Sequence, residues 1–504
     1  MRKLRPVGAT RRAIPALAGA LMCSAAFADG PAIQPSGLSR IGTVDERFQS
    51  YNIEMVEITG GRFWRPYDSG TASSPAGSKP DLFAYRLPID LTSARLRKVA
   101  AALAPVYLRV SGTWANSTYF ADSDTLPPAP PAGFNGLLTR QQWRGVVDFA
   151  QAVDARIVTS FAISAGTRDA AGAWTPDQAR HLLRYTHSVG GRIAAAEFMN
   201  EPDLISISGA PPGFDAAAYG RDFKTFVSFA RQAAPEMAIL GPGAAGDETA
   251  ISNLLAASGP GLDVFSYHFY GALSERCTAG TTPDAALSED WLARTDKALA
   301  LSRRLRDRFE PGKPVWLTET AQAACGGDRW AATFLDTFRY LDQMGRLAKA
   351  GVQVVMHNTL AASDYGLLDQ TTQTPRPNYW GALLWRQLMG TGVLEAGVST
   401  EAGLHVYAHC QRGTPGGVAL LVINTDRAAS RGLAIAGASQ RFRLEAAGIQ
   451  DGVAALNGVP LALSDTSDLP RLTGVATTAG EVTFAPATIT FLAVPAAGNA
   501  ACRD

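Results

Sequence analysis

Two glutamates in this chain are placed so that they could work as a pair. The stretch Phe198-Met199-Asn200-Glu201-Pro202 and the stretch Trp316-Leu317-Thr318-Glu319-Thr320 each present one carboxylate at the end of a short apolar run. A lone glutamate is most often a solvated surface residue. Two that each leave a buried strand form the minimal machinery for cutting an acetal. One protonates the leaving oxygen, while the other attacks the sugar carbon or activates water. That division needs one carboxyl kept protonated and its partner kept ionised. It needs no metal and no cofactor.

Other strings with chemical meaning carry less. Gly241-Pro242-Gly243-Ala244-Ala245-Gly246 fits the dinucleotide fingerprint as a string, but the nearest acid, Asp263, precedes a strand instead of ending one. The sequence holds no Walker loop, no His-Glu-x-x-His, no Cys-x-x-Cys and no Gly-x-Ser-x-Gly.

Holding two carboxylates at separate strand ends requires a scaffold of buried strands. Eight short apolar runs are candidates: 51–58, 106–111, 156–163, 194–200, 237–240, 264–270, 315–318 and 352–358. Most are continuous instead of alternating, as expected of strands covered on both faces. Amphipathic stretches at 143–153, 223–233, 296–309 and 332–350 lie between them. The alternation predicts an α/β fold, a (β/α)8 TIM barrel over 50–388 whose functional site lies at the C-terminal ends of the strands. Glu201 then leaves the fourth strand and Glu319 the seventh. Residues 121–133 are proline-rich and read as a surface loop. From about Gly390 the helical pattern stops. Strand-like runs at 405–410, 418–424, 441–445, 481–484 and 488–494 predict an all-β sandwich over 389–504. The segment 29–49 is a candidate further strand of it.

The first twelve residues carry Arg2, Lys3, Arg5, Arg11 and Arg12 and no acid, and an apolar run then ends in Ala26-Phe27-Ala28. This predicts an export signal over 1–28 and a secreted or periplasmic protein. The alternative, a single-pass anchor, needs about 20 spanning residues, and this run is short for that. No later stretch is long and apolar enough to cross a membrane. The chain has 46 Lys and Arg against 45 Asp and Glu. Removal of the basic leader leaves a slightly acidic remainder, which argues against a nucleic-acid binder. Four cysteines follow the leader, and four allow three pairings. Strand placement favours Cys277 with Cys325, on neighbouring strand exits, and Cys410 with Cys502 in the sandwich. Four buried free thiols remain the alternative.

Longer blocks carry a resemblance. Leu108-Arg109-Val110-Ser111-Gly112-Thr113, Tyr267-His268-Phe269-Tyr270-Gly271, Trp316 to Thr320, Gly326-Gly327, Gly351 to Met356, Tyr365 to Asp369 and Asn378-Tyr379-Trp380 resemble glycoside hydrolase family 79, the heparanase family, within clan A of the retaining glycosidases. The resemblance implies Glu201 as acid/base and Glu319 as nucleophile. It implies that Asn200 meets the sugar 2-hydroxyl, and that His268 and Tyr270 stand beside the nucleophile. It implies that the amides of Gly326 and Gly327, with the Tyr365 hydroxyl, recognise a glucuronate carboxylate, and that Glu54, Thr113 and Asn358 contact the sugar. Three positions depart from the family pattern. Cys325 replaces a glycine, Glu54 an aspartate and Asn358 a glutamine.

The expected activity is a retaining endo-β-glucuronidase acting, as a monomer, on heparan sulfate or a related glucuronate polysaccharide. An exo-β-glucuronidase that releases terminal glucuronate is the alternative, and a glycan-binding protein on an inactive barrel a distant one. Only mild basic runs, Arg95–Lys98 and Arg303–Arg308, are on hand to grip sulfates.

Overall fold

A computed structural model describes residues 32–67, 82–398 and 403–503. The expected export signal, 1–28, lies outside the described residues. Parallel strands at Gln49–Glu54, Val106–Ser111, Ala155–Ser160, Ile193–Glu197, Ala238–Ala244, Val264–Tyr270, Val315–Ala321 and Val354–His357 close into a barrel. The last returns to the first, with Val355 opposite Gln49 and His357 opposite Tyr51. Helices cover the outside, several started by a side-chain cap. Thr139 and Gln142 form a reciprocal box at the head of Arg140–Ala152, and Asp215 and Asp247 cap Ala216–Ala233 and Glu248–Ser258.

Several strand limits differ from the sequence reading, and each difference matters to the site. The first strand ends at Glu54, and Met55–Thr59 forms a short helix instead of continuing it. A capping box turns the chain there: the Glu57 carboxylate accepts the Glu54 N–H at 2.8 Å. The fourth strand stops at Glu197, so Phe198 to Glu201 form a turn beyond it. The seventh runs through Glu319 to Ala321. The fifth extends to Ala244, so the Gly-Pro-Gly run is barrel strand and not a nucleotide loop. Residues 122–135, with the proline-rich loop, connect two short parallel strands, Thr118–Ala121 and Gly136–Thr139.

The C-terminal region is a two-sheet sandwich. Its larger sheet runs through Arg40–Thr43, Met389–Leu394, Leu404–Gln411, Val418–Asn424, Thr488–Val494 and Ser439–Glu445, and its smaller one through Ala32–Ile33, Arg431–Ile435 and Gly480–Phe484. The segment before the barrel therefore supplies a strand to each sheet. Ile33, Val406, Leu420, Leu433, Val482 and Leu492 fill the space between the sheets. The outer face of the larger sheet presents Tyr407, Leu421 and Phe491 to the same core as the barrel helices Phe334–Lys349 and Pro377–Leu388. Val418–Asn424 is thus buried on both faces, which is why its sequence does not alternate.

Both disulfides join the expected cysteines, Cys277 to Cys325 and Cys410 to Cys502. The basic runs are partly engaged in local contacts, with Lys98, Arg304 and Arg308 exposed. Arg95 donates to the Gln373 carbonyl and the Thr374 hydroxyl, Lys98 pairs with Asp468, and Arg303 reaches the Ala350 carbonyl. Among the described residues no helix is long and apolar enough to cross a membrane.

Candidate active site

The site grows from a buried arginine. The second strand turns Arg109 into the barrel, where it is fully buried. A guanidinium there must be paired. Its Nη1 donates to Glu319 Oε2 at 2.8 Å, and its Nη2 donates to Glu197 Oε2 and to Asn200 Oδ1, both at 2.8 Å. Glu197 Oε1 accepts the Ser266 and Thr318 hydroxyls, each at 2.8 Å. Burial pushes the Glu197 carboxyl up, but Arg109 and His268 outweigh burial and hold it well below the usual range.

Glu319 and Glu201 are driven apart. Burial raises both. For Glu319 the charges of His268 and Arg109, with the Tyr270 hydroxyl donating to Oε1 at 2.7 Å, more than cancel burial and hold its pKa low. For Glu201 burial combines with the negative charge of Glu319 and wins against the His268 contact, so its pKa is raised. Glu201 sits on a backbone φ of 47°, its N–H donating to the Gly243 carbonyl at 3.1 Å, and its side chain keeps 12% exposure. One oxygen of Glu201, one of Glu319 and a ring nitrogen of His268 lie within 4.8 Å of one another.

Burial and Arg109 work against a charged His268. Glu319, Glu197 and Glu201 overcome them and push its pKa up to about 10. Its Nδ1 lies 3.1 Å from Glu201 Oε1, and its Nε2 lies 3.2 Å from Arg109 Nη2, so the ring stands between a carboxyl and a guanidinium. With the proton on Nδ1 for Glu201 and Nε2 turned to the Arg109 guanidinium, neither ring nitrogen offers a lone pair to a cation. The trio thus fits proton chemistry better than a metal centre.

A second cluster faces the first. Asn358 Nδ2 donates to Glu54 Oε1 at 3.0 Å, to the Tyr270 hydroxyl at 3.0 Å and to the Tyr365 hydroxyl at 3.3 Å. Burial, then the charge on Glu319, lifts the Glu54 pKa well above the usual range. Glu54 Oε2 and Asn358 Oδ1 are buried with no hydrogen-bond partner among the described residues. Only glycine fits at 112, at φ 90°, because a Cβ there would stand 1.5 Å from Glu54 Oε2.

The loop after the seventh strand closes one side. Gly326 and Gly327 both take φ of 82°; a Cβ on Gly326 would come within 2.7 Å of the Trp64 Cβ, and one on Gly327 within 3.2 Å of the Tyr365 Cβ. The Gly327 N–H, expected to meet a glucuronate carboxylate, instead donates to the Ala323 carbonyl at 3.2 Å because the tight turn folds it back on its own loop. Arg276 donates to the Cys325 carbonyl at 3.1 Å and also reaches the Gly327 and Arg65 carbonyls and Asp364. With the Cys277–Cys325 bridge it ties this loop to the preceding strand exit. Thr113 lines an adjoining groove.

The structure thus brings Glu201, Glu319, Asn200, His268, Tyr270, Glu54, Asn358 and Tyr365 together. It adds Arg109 and Glu197, which the motif reading did not single out. Their signal was present: a charge inside a continuous buried strand run, as in Val-Tyr-Leu-Arg-Val-Ser and Ile-Ala-Ala-Ala-Glu, must point into the barrel and find a partner.

Residues 82–345 match the model of the glycosyl hydrolase family 79 N-terminal domain. The chain belongs to glycosyl hydrolase family 79. Among family 79 relatives, heparanase-like protein 1 of Arabidopsis thaliana is 29% identical over 417 residues, covering 77% of this chain and 72% of that protein. Heparanase of Mus musculus is 28% identical over 480 residues, covering 82% and 88%. Hyaluronoglucuronidase of Hirudo nipponia is 26% identical over 359 residues, covering 64% and 71%. The fold is similar to that of a 4-O-α-L-rhamnosyl-β-D-glucuronidase from Fusarium oxysporum, with a TM-score of 0.62, 15% identity, and 92% of this chain and 99% of that chain covered. A family 51 α-L-arabinofuranosidase from Thermotoga petrophila gives 0.64 at 13% identity, covering 92% and 99%. This family 79 chain is a glycoside hydrolase with a TIM barrel and a β-sandwich.

Proposed function

We propose that the chain is a secreted, retaining endo-β-glucuronidase that hydrolyses internal glucuronic acid linkages of heparan sulfate or a related glycosaminoglycan. The observation that carries the retaining mechanism is the close approach of Glu201 and Glu319, whose oxygens come within 4.8 Å. Retaining enzymes hold their carboxyls roughly 5–5.5 Å apart, and inverting ones roughly 6.5–9.5 Å, to admit a water.

In the first step Glu201, protonated, gives its proton to the glycosidic oxygen as the bond to C1 breaks. Glu319 Oε attacks C1 and forms a glycosyl ester. That ester removes the negative charge that helped to raise Glu201. Glu201 then becomes the better base: it takes a proton from water, the hydroxide attacks C1, and Glu319 leaves as carboxylate. Tyr270 and Arg109 orient the nucleophile, and His268, 3.1 Å from Glu201 Oε1, steadies Glu201. Asn200, its Oδ1 engaged by Arg109, keeps its NH2 for the sugar 2-hydroxyl.

Several observations support a glucuronide. The open valences on Glu54 Oε2 and Asn358 Oδ1 suit ring hydroxyls. The Gly326 backbone beside the Tyr365 hydroxyl suits a carboxylate, while the Gly327 N–H is given to the Ala323 carbonyl at 3.2 Å. Relatives named heparanase, hyaluronoglucuronidase and baicalin-β-D-glucuronidase point the same way. The two disulfides support export.

Product sizing on heparan sulfate, run beside an aryl β-glucuronide, tests the reading. Oligosaccharides of intermediate size are expected early in the reaction. Release of free glucuronate alone would overturn endo action, and inactivity on both substrates would overturn the glucuronidase reading.

A further inference from the structure

The Cys277–Cys325 bridge joins the loops that follow the sixth and seventh barrel strands, and it ends one residue before Gly326. Cys325 stands where the family pattern has glycine. The backbone keeps a glycine-like geometry there: Cys325 takes φ of 62°, a region disfavoured for any residue that carries a Cβ. Left to local preference, a cysteine would leave it. The bridge to Cys277 holds it in place.

The stretch of chain that supplies the bridge also aims the next peptide. Ser274 Oγ donates to the Cys325 carbonyl at 2.9 Å, and Arg276 Nη1 donates to it at 3.1 Å. Both donors and Cys277 lie in the segment 274–277. A trans peptide is planar, with its C=O and N–H opposed. Holding the Cys325 carbonyl toward that segment therefore turns the Gly326 N–H away from it. Among the described residues this N–H donates to no protein group. The Gly326 carbonyl, by contrast, accepts the Asp364 N–H at 3.2 Å and the Ser363 hydroxyl at 3.1 Å. The Gly326 N–H is thus the donor that this turn leaves open for a carboxylate. Cys277 is exposed and Cys325 half-buried, so a reductant in solution can reach the bridge. In the other bridge, Cys502 is only 5% exposed.

We infer that the Cys277–Cys325 bridge is a redox-controlled positioning element: closed, it holds the Gly326 N–H for the glucuronate carboxylate, and opened by a dithiol, it lets that donor turn away. The inference rests on the glucuronidase reading. In the opening step a thiolate of the dithiol attacks the Cys277 sulfur, the S–S bond breaks, and Cys325 leaves as thiolate and takes up a proton. The second thiol of the dithiol then closes its own disulfide and releases Cys277. Two electrons and two protons pass from the dithiol to the bridge. Cys325 then follows its backbone preference out of the left-handed region, and its peptide rotates with it.

Two dinitrophenyl glycosides, the β-glucuronide and the β-glucoside, separate recognition of the carboxylate from the rest of the reaction. Dithiothreitol is the probe, and the masses of alkylated peptides report which cysteines are free. Reduction is expected to lower the glucuronide-over-glucoside ratio of kcat/KM by about tenfold, chiefly through a higher KM for the glucuronide; this is the scale of one hydrogen bond to a charged group. Cys277→Ala with Cys325→Ala should show the low ratio without reductant and respond no further to it. Cys277→Ala with Cys325→Gly should recover part of the ratio, because glycine holds this φ without a bridge. A bridge that only stabilised the fold would change both substrates alike. Equal losses on both substrates, or an unchanged ratio with Cys277 and Cys325 shown to be free, would overturn the inference and leave the glucuronidase reading intact. An oxidised wild type with no preference for the glucuronide would overturn both.

Discussion

Replacement of Arg109 by leucine would test whether the site is held by charge pairing. The guanidinium serves two buried acids, Glu197 and Glu319, and one amide. Leucine fills part of the volume but leaves the fully buried Glu197 with only His268, whose Nε2 lies 3.8 Å from Oε1, in place of a direct guanidinium contact. Removal of one partner from a buried pair costs about 3–5 kcal/mol, most of it from the charge left behind. Arg109→Leu is therefore expected to lower unfolding free energy by about 4 kcal/mol in urea titrations at neutral pH. The double variant Arg109→Leu, Glu197→Gln removes that charge, while the amide oxygen still accepts from Ser266 and Thr318. It is expected to recover about 2 kcal/mol without recovering activity, because Glu319 still lacks its guanidinium. Arg109 also helps to hold Glu319 low, so the single variant should move the acid limb of kcat/KM to higher pH. A loss below about 1 kcal/mol, or a double variant no more stable than the single, would refute the claim that an uncompensated buried acid is what Arg109 prevents.

Four further outcomes follow from the same geometry. Glu319→Gln should abolish turnover of every glucuronide, whereas Glu201→Gln should spare the first step on a substrate with an activated leaving group; near-normal rates in Glu319→Gln would show the nucleophile to be misassigned. The pH profile of kcat/KM should be a bell, its acid limb below and its alkaline limb above the ordinary glutamate value near ~4.3, because Glu319 is lowered and Glu201 raised. His268 is raised from 6.5 to about 10, so its stabilising charge is fully present below pH 6.5 and lost as pH rises through about 10; stability measured from pH 7 to 10 should fall in the wild type and fall less in His268→Gln. The Cys410–Cys502 bridge spans a sequence separation of 92, and its replacement by two alanines should lower the unfolding free energy by about 4–5 kcal/mol, readable as a lower melting temperature.

The fold class was legible because strands covered on both faces must be apolar throughout, and barrel strands of this kind recur between amphipathic helices. Strand limits were harder to read, because capping and ladder geometry decide them. Ile53-Glu54-Met55-Val56 reads as one apolar run, yet the Glu54–Glu57 box breaks it into a strand and a helix. The same effect moved Glu319 inside its strand and left Glu201 on a turn beyond its own. The strand Arg431–Ile435 went unread, since Arg-Gly-Leu-Ala-Ile shows little pattern until its partner Gly480–Phe484 is known. The small hairpin of Gly61–Trp64 with Phe83–Arg86 was missed for the same reason.

The sequence by itself determined the chemistry on offer. It named the two glutamates, because residue type and local motif are properties of a linear string, and its resemblance to family 79 pointed to the asparagine before one of them, the tyrosines and the glycine pair. Only the tertiary structure decided how those groups behave. Glu201 and Glu319 are the same amino acid, each after an apolar run. They differ because the barrel brings Arg109, Tyr270 and His268 from other strands toward Glu319, and sets Glu201 where the charge of Glu319 adds to its burial. A pKa depends on distance through space, and the residues that set these two lie from about fifty to more than two hundred positions away along the chain.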